Sequence, residues 1–279
     1  MNGTIERIVV ALDAVSESRM AIAAAVRLAT RWKTRLHGVF VEDDDLIRFA
    51  HLPFARQVTL GIGAEPLNFQ QAERQLRVFA ERARQDLAAA ARPHDIEWSF
   101  EVLRDAGTTP TVAAAIGDLL VAGTTTRPIG GYFRVECRWW SVVEAGSAPF
   151  LLAHREGHPA DGQTDGAVVA VLPDRGAASE RLLAAAARLA EADGGRLVVL
   201  CAPSLADTPG FKAWLDERLA GRSVEVEIDA TLDAPAALIP RLDELGCRVV
   251  ALAAEAAEAR PERLRELVGK IACDVLVVR

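Results

Sequence analysis

Few residues of this chain have the type and spacing to do chemistry, and most of those also have a plainer use. The acidic run Glu42-Asp43-Asp44-Asp45 offers the oxygen ligands that hard cations prefer. It also stands just before an apolar helical pattern, where carboxylates complement the positive end of a helix, and capping is the role expected of it. His37, His51, His94, His154 and His158 are scattered without ligand spacing, so no metal site is expected. Cys137, Cys201, Cys247 and Cys273 lie far apart with no Cys-x-x-Cys pair, which supports neither a zinc knuckle nor a dithiol redox motif. They read as reduced thiols, several of them in apolar strands. No Gly-x-Ser-x-Gly elbow occurs and no Ser/His/Asp set is assigned by motif, so no catalytic residue is named. Gly130-Gly131 follow Pro128 and read as a turn, because no Lys-Ser/Thr comes after them to make a Walker-type loop. A flexible loop could still shift them under a phosphate, with Arg127 and Arg134 either holding an anion or simply solvated.

The elements that must position these residues occur twice. Residues 8 to 41 laid on residues 169 to 202, at a constant offset of 161 and without a gap, are identical at eleven of thirty-four positions. The matches include Asp13/Asp174, Ser18/Ser179, Arg27-Leu28-Ala29 on Arg188-Leu189-Ala190, and Arg35-Leu36 on Arg196-Leu197. A unit of half the chain is too long for a solenoid repeat and right for a domain. Within each copy, β-branched apolar runs such as residues 7 to 12 alternate with helical patterns such as Ser18 to Trp32, where Ile22, Val26 and Leu28 face one way and Arg19, Arg27 and Arg31 the other. Continuous apolar strands with helical crossovers predict a parallel sheet covered on both faces. A long charged helix is predicted from about Phe69 to Ala91, and strands at 96–102, 118–123 and 150–153 in the first copy, answered by 224–228, 248–253 and 275–278 in the second. The offset shrinks along the chain to 125, so the second copy keeps its strands and loses loop and helix length. The expected layout is a first domain at 1–156, a linker at 157–166 rich in Gly, Pro and Asp, and a shortened second domain at 167–279.

Composition narrows the function classes. With 51% hydrophobic residues in 279, two cores can be filled, and the expectation is two α/β domains. No uninterrupted apolar stretch approaches the roughly 18 residues of a membrane span, and residues 1 to 7 lack the pattern of a secretion signal, so a cytoplasmic protein without a membrane partner is expected. The net charge of −7 argues against nucleic acid as a partner.

The opening strand ending in Leu-Asp, the alanine-rich helix after it, the Asp-Leu-Leu-Val-Ala-Gly strand and a closing strand preceded by Ala-Pro together resemble the universal stress protein family in tandem form. The resemblance covers nearly the whole chain. It implies two doubly wound α/β domains, each with a five-stranded parallel sheet. It also implies that the closing strands pair with each other, so that one polypeptide makes the family's dimer as a pseudo-dimer. Homo-oligomers beyond that are possible on the same grounds.

The resemblance also implies where a nucleotide would bind. ATP-binding members set an aspartate against the adenine and hold ribose and phosphates on Gly-x2-Gly-x9-Gly-Ser/Thr, whose glycines let the backbone approach the anion closely. Here Asp13 matches the aspartate and Gly123 the first glycine; Thr126 falls on the second glycine and Glu136-Cys137 on the final Gly-Ser. Counting backward from Pro149 reaches the same Glu136-Cys137, and a carboxylate there opposes a phosphate. Asp13 also suits a turn from strand into helix, where it satisfies backbone donors. In the second copy Ala253-Ala254-Glu255-Ala256-Ala257 replaces the loop. The expectation is therefore a noncatalytic, stress-associated protein that has lost ATP and acts through protein contacts, with no cofactor. The alternative is an adenine-nucleotide module, AMP or ATP, using Asp13, Val41, Gly123, Thr126 and Gly130 of the first copy. Trp139-Trp140 would fill the vacated cleft or pack at an interface.

Overall fold

The computed structural model describes residues 5–12, 18–42, 56–59, 63–66, 69–104, 118–123, 148–153, 166–192, 194–232, 234–254, 267 and 270–278. The first copy contributes β1 (Arg7–Leu12), α1 (Ser18–Trp32), β2 (Arg35–Glu42), β3 (Arg56–Thr59), β4 (Gly63–Pro66), α2 (Phe69–Ala91), β5 (Trp98–Arg104), β6 (Asp118–Gly123) and β7 (Phe150–Ala153). The second contributes β8 (Ala167–Leu172), α3 (Ala177–Ala192), β9 (Arg196–Cys201), α4 (Pro203–Ala206), α5 (Phe211–Leu219), β10 (Glu225–Asp229), α6 (Leu238–Glu244), β11 (Cys247–Ala253) and β12 (Asp274–Val278).

Ten strands form one sheet in the order β10-β9-β8-β11-β12-β7-β6-β1-β2-β5. Each half is a doubly wound parallel unit, and the halves meet where β12 and β7 pair antiparallel, with Leu276 beside Leu151. The sheet registers place Leu120 on Phe150 and Val250 on Val275, so Leu151 and Leu276 are equivalent residues and an internal two-fold passes between them. Edges that would otherwise present open donors and acceptors are thereby paired inside the chain. The sheet also corrects the ungapped alignment. His37 matches Val198 at an offset of 161, yet their partners Val9 and Val169 differ by 160, so the first strand slips by one residue against the helix that follows. An extra residue in the second copy's strand-to-helix connection accounts for the slip.

One face of the sheet carries α1, α2, α3 and α5 on a core that runs unbroken through both copies, from Ile8, Leu36 and Leu119 to Leu151, Leu276, Val249 and Leu197. Alanines are the contact residues of α1 and α3: Ala21 and Ala25, and Ala186, Ala187 and Ala190, are fully buried. Their small volume lets these helices lie close to the strands. Gly38 serves the same end in β2, because a Cβ there would meet Leu87 Cδ2 at 2.5 Å and Phe100 Cδ2 at 2.9 Å. Both helices end alike: Thr34 N–H donates to Ala29 O and Gly195 N–H to Ala190 O, through a left-handed residue that is Lys33 in one copy and Gly194 in the other. The opposite face carries α6, whose Leu238 and Leu242 cover Val250, Ile271 and Val275.

Three details differ from the sequence reading. Glu42 is the buried last residue of β2, in register with Arg104, and so belongs to a strand, not to a helix cap; residues 43–45 lie outside the described residues. Residues 56–59 and 63–66 form an antiparallel hairpin between β2 and α2, where no strand was predicted. In the second copy, two short helices, α4 and α5, stand where the first has the 23-residue α2. Of the predicted linker, only Gly166 is described.

Candidate functional site

In a doubly wound sheet, ligands enter the crevice beyond the carboxyl ends of the strands, where strand order reverses. In the first copy that point lies between β1 and β6. Ala11 pairs with Ala122, which sets Leu12 beside Gly123 and brings the residue after β1 and the residue ending β6 to one place. Gly123 is half-buried there, and Val41 stands near the end of β2, opposite Leu103. Asp13, Thr126, Gly130, Glu136, Cys137, Trp139 and Trp140 lie outside the described residues.

The equivalent crevice of the second copy is described in full on one side, and its groups are already engaged. Asp174 Oδ1 accepts from Gly176 N–H and from Ser179 Oγ, both at 2.7 Å, which holds its carboxyl below the ordinary range. The carboxylate closes an Asx-type turn just before α3 and ties it to the Ser179 side chain, a turn duty that Asp13 also suits in the first copy. At the end of β11, Ala253 and Ala254 are buried, and Ala254 N–H donates to Val278 O at 2.7 Å. A backbone donor that could face an anion is thus consumed by β12. At the end of β10, the outermost strand of the second half and two strands from β8, Asp229 is buried. Burial raises its carboxyl, but the Thr231 hydroxyl, the Arg241 guanidinium at 2.6 Å and Thr231 N–H outweigh that and leave it lowered. Arg241 also reaches Glu244 at 2.6 Å, so its charge is matched twice.

The structure also assembles groups that no motif announced. On β2 and β5, Ser99 Oγ lies 2.8 Å from His37 Nδ1, and Glu101 Oε2 lies 3.5 Å from His37 Nε2. Burial, followed by the Arg7 guanidinium, lowers the His37 pKa, so the ring is neutral at pH 7 and its contact with Glu101 is not an ion pair. Serine, histidine and glutamate stand in nucleophile–base–acid order, but Ser99 and Glu101 lie exposed on an outermost strand. We read the three as a ladder that ties β5 to β2. Cys273 and Cys247, separated by 26 residues, touch at 3.3 Å, a proximity that spacing along the chain concealed. Their contact and burial hold the Cys247 thiol protonated. Among the described residues, no group of three His, Cys, Asp or Glu could hold a metal, and no helix is long and apolar enough to cross a membrane.

No protein-family model matches the sequence, and no curated protein matches it either. Solved structures do. The chain superposes on the crystal structure of a universal stress protein from Archaeoglobus fulgidus DSM 4304 with a TM-score of 0.66, over 99% of this chain and 97% of that one, at 12% identity. The fold is that of a universal stress protein. A functionally unknown protein from Pseudomonas aeruginosa PAO1 is similar as well, with a TM-score of 0.56 over 98% of this chain and 92% of that one, at 16% identity. The likeness runs through both halves, so the universal stress protein fold accounts for the duplicated sheet as a whole.

Proposed function

We propose that this chain is a noncatalytic tandem universal stress protein of the stress response, whose two copies form one scaffold for protein contacts and no longer bind ATP. The observation that carries the reading is the second crevice: Ala253 and Ala254 are buried where a phosphate loop would begin, and the Ala254 donor is spent on Val278. Glu136 at the third glycine position of the first copy supports the same loss there, since it would bring a carboxylate against a phosphate. A ligand that binds only the folded state raises its melting temperature, so thermal shift with ATP, ADP and AMP, with and without magnesium, tests the proposal. The expected result is no shift. Stabilisation that Asp13→Ala removes would overturn it.

A second reading rests on Gly123, which is half-buried at the first copy's switch point and is the one glycine of the motif kept at a strand end. On that reading, AMP or ATP sits against Asp13 in the first copy alone, with Gly130 in a rearranged loop. AMP lacks the γ-phosphate that Glu136 would repel most. The same titration separates the two readings, because only the second predicts a shift.

A further inference from the structure

We infer that Cys247 and Cys273 are a dithiol modification site, which a hydroperoxide converts to an intrachain disulfide. The inference is independent of whether either copy holds a nucleotide, because the pair lies at the amino-terminal ends of β11 and β12, the opposite end of the sheet from the crevice. Cys247 opens β11 and Cys273 directly precedes β12, and the Cys273 thiol donates to Cys247 Sγ at 3.3 Å. Both are free cysteines. The contact is set by the sheet: β11 and β12 are hydrogen-bonded neighbours with Val249 beside Asp274. The register of β11 against β8 shifts between Cys247 and Val249, and an irregularity of this kind re-aims a side chain away from the regular ladder.

A cavity of about 210 Å³ adjoins the two sulfurs, walled by Ile239, Leu242, Asp243 and Ile271. Water occupies roughly 30 Å³ in the liquid, so a hydroperoxide as small as hydrogen peroxide fits. Cys247 is the more exposed of the two and takes the first step. Its sulfur attacks one peroxide oxygen, the O–O bond breaks, and the departing oxygen leaves as water with the thiol proton, which makes a sulfenic acid. The buried Cys273 sulfur then attacks Cys247 Sγ. The S–O bond breaks, the S–S bond forms, and the second water carries off the Cys273 proton. Two thiols lose two electrons and the peroxide gains them. Because the contact with Cys273 and burial keep Cys247 protonated, the first step is slow and needs excess oxidant, whereas the second is fast because the partner is already in contact.

The product would fasten β12, the strand that joins the two copies, to β11. It would also close a covalent loop from residue 247 to residue 273, which contains the Ala253-Ala254-Glu255-Ala256-Ala257 run. The test uses the full reduced chain, treated with excess hydrogen peroxide at neutral pH and followed by intact mass and peptide mapping. The expected product has lost two hydrogen atoms, links Cys247 to Cys273, reverts with dithiothreitol, and melts several degrees higher than the reduced chain. In Cys273→Ser, Cys247 should stop at a sulfenic acid that dimedone traps. Added oxygen without a link, a link through Cys137 or Cys201, or no reaction while free cysteine is consumed would each overturn the inference. Phenylarsine oxide, which bridges adjacent thiols, gives a readout that needs no variant: one equivalent bound per reduced chain is expected, and none bound would contradict the site.

Discussion

Asp174 decides how the second crevice is read. Its carboxylate is occupied by Gly176 N–H and by the fully buried Ser179 hydroxyl, and a net hydrogen bond of this kind contributes about 1 kcal/mol. Asp174→Ala should therefore lower unfolding stability by about 1 kcal/mol in urea titration, without affecting any ligand. A negligible change would mean that the turn is idle and the carboxylate is free for another purpose. His37 gives a prediction in pH. Its folded pKa lies below its ordinary value of about 6.5, so the unfolded chain binds the proton more readily. Stability is then fully present above about pH 6.5 and falls as pH drops from there through the folded pKa. His37→Gln should flatten that part of a stability–pH curve. A wild-type curve already flat between pH 5 and 7, against the same variant, would show that the ring's burial has no such effect. Sequence showed Asp13 and Asp174 as equivalents and suggested a duty at the turn from strand into helix, because aspartate there has a local cause. It could not show Ser99 meeting His37, or Cys247 meeting Cys273, because those meetings depend on which strands become neighbours.

The elements were legible where one physical pattern filled the whole length. The predicted helix at 69–91 and the strands at 7–12, 118–123 and 150–153 have the boundaries found, because continuous apolar runs and helical periodicity leave one assignment. The hairpin of β3 and β4 was missed: Arg56–Thr59 and Gly63–Pro66 are too short and polar to show alternation. Glu42 was misassigned because acidic residues suit both a strand end and a cap. The paired helix ends offer a test within the molecule. Lys33 holds φ 52° where Gly194 holds φ 101°, and a left-handed conformation costs a residue with a Cβ roughly 1–2 kcal/mol. Lys33→Gly should raise stability by about 0.5–1 kcal/mol after the added backbone entropy of glycine is counted, measured by the urea midpoint. A loss would show that the Lys33 side chain stabilises this turn by more than its backbone costs.

At the scale of the whole molecule, the two copies share one core and not merely a linker. Leu151 and Leu276 pair at the two-fold, Arg188 lies 4.9 Å above the Trp32 ring, and Arg27 reaches Asp274 at 3.7 Å, each contact joining one copy to the other. Arg27 and Arg188 are equivalent residues of the repeat, so one ancestral position is used twice to span the junction. Unfolding should accordingly be a single transition, with coincident curves from tryptophan fluorescence and far-UV circular dichroism. Leu276→Ala, at a buried position of that junction, should cost about 2–5 kcal/mol and lower the one midpoint. Two separated transitions in the wild type would show that the halves are independent domains. The continuous sheet is what the two copies share. The central claim is that the scaffold persists without its nucleotide, and calorimetric titration of the full chain with ATP and magnesium tests it most directly. The account predicts no binding heat beyond dilution; saturable binding that Asp13→Ala abolishes would contradict it.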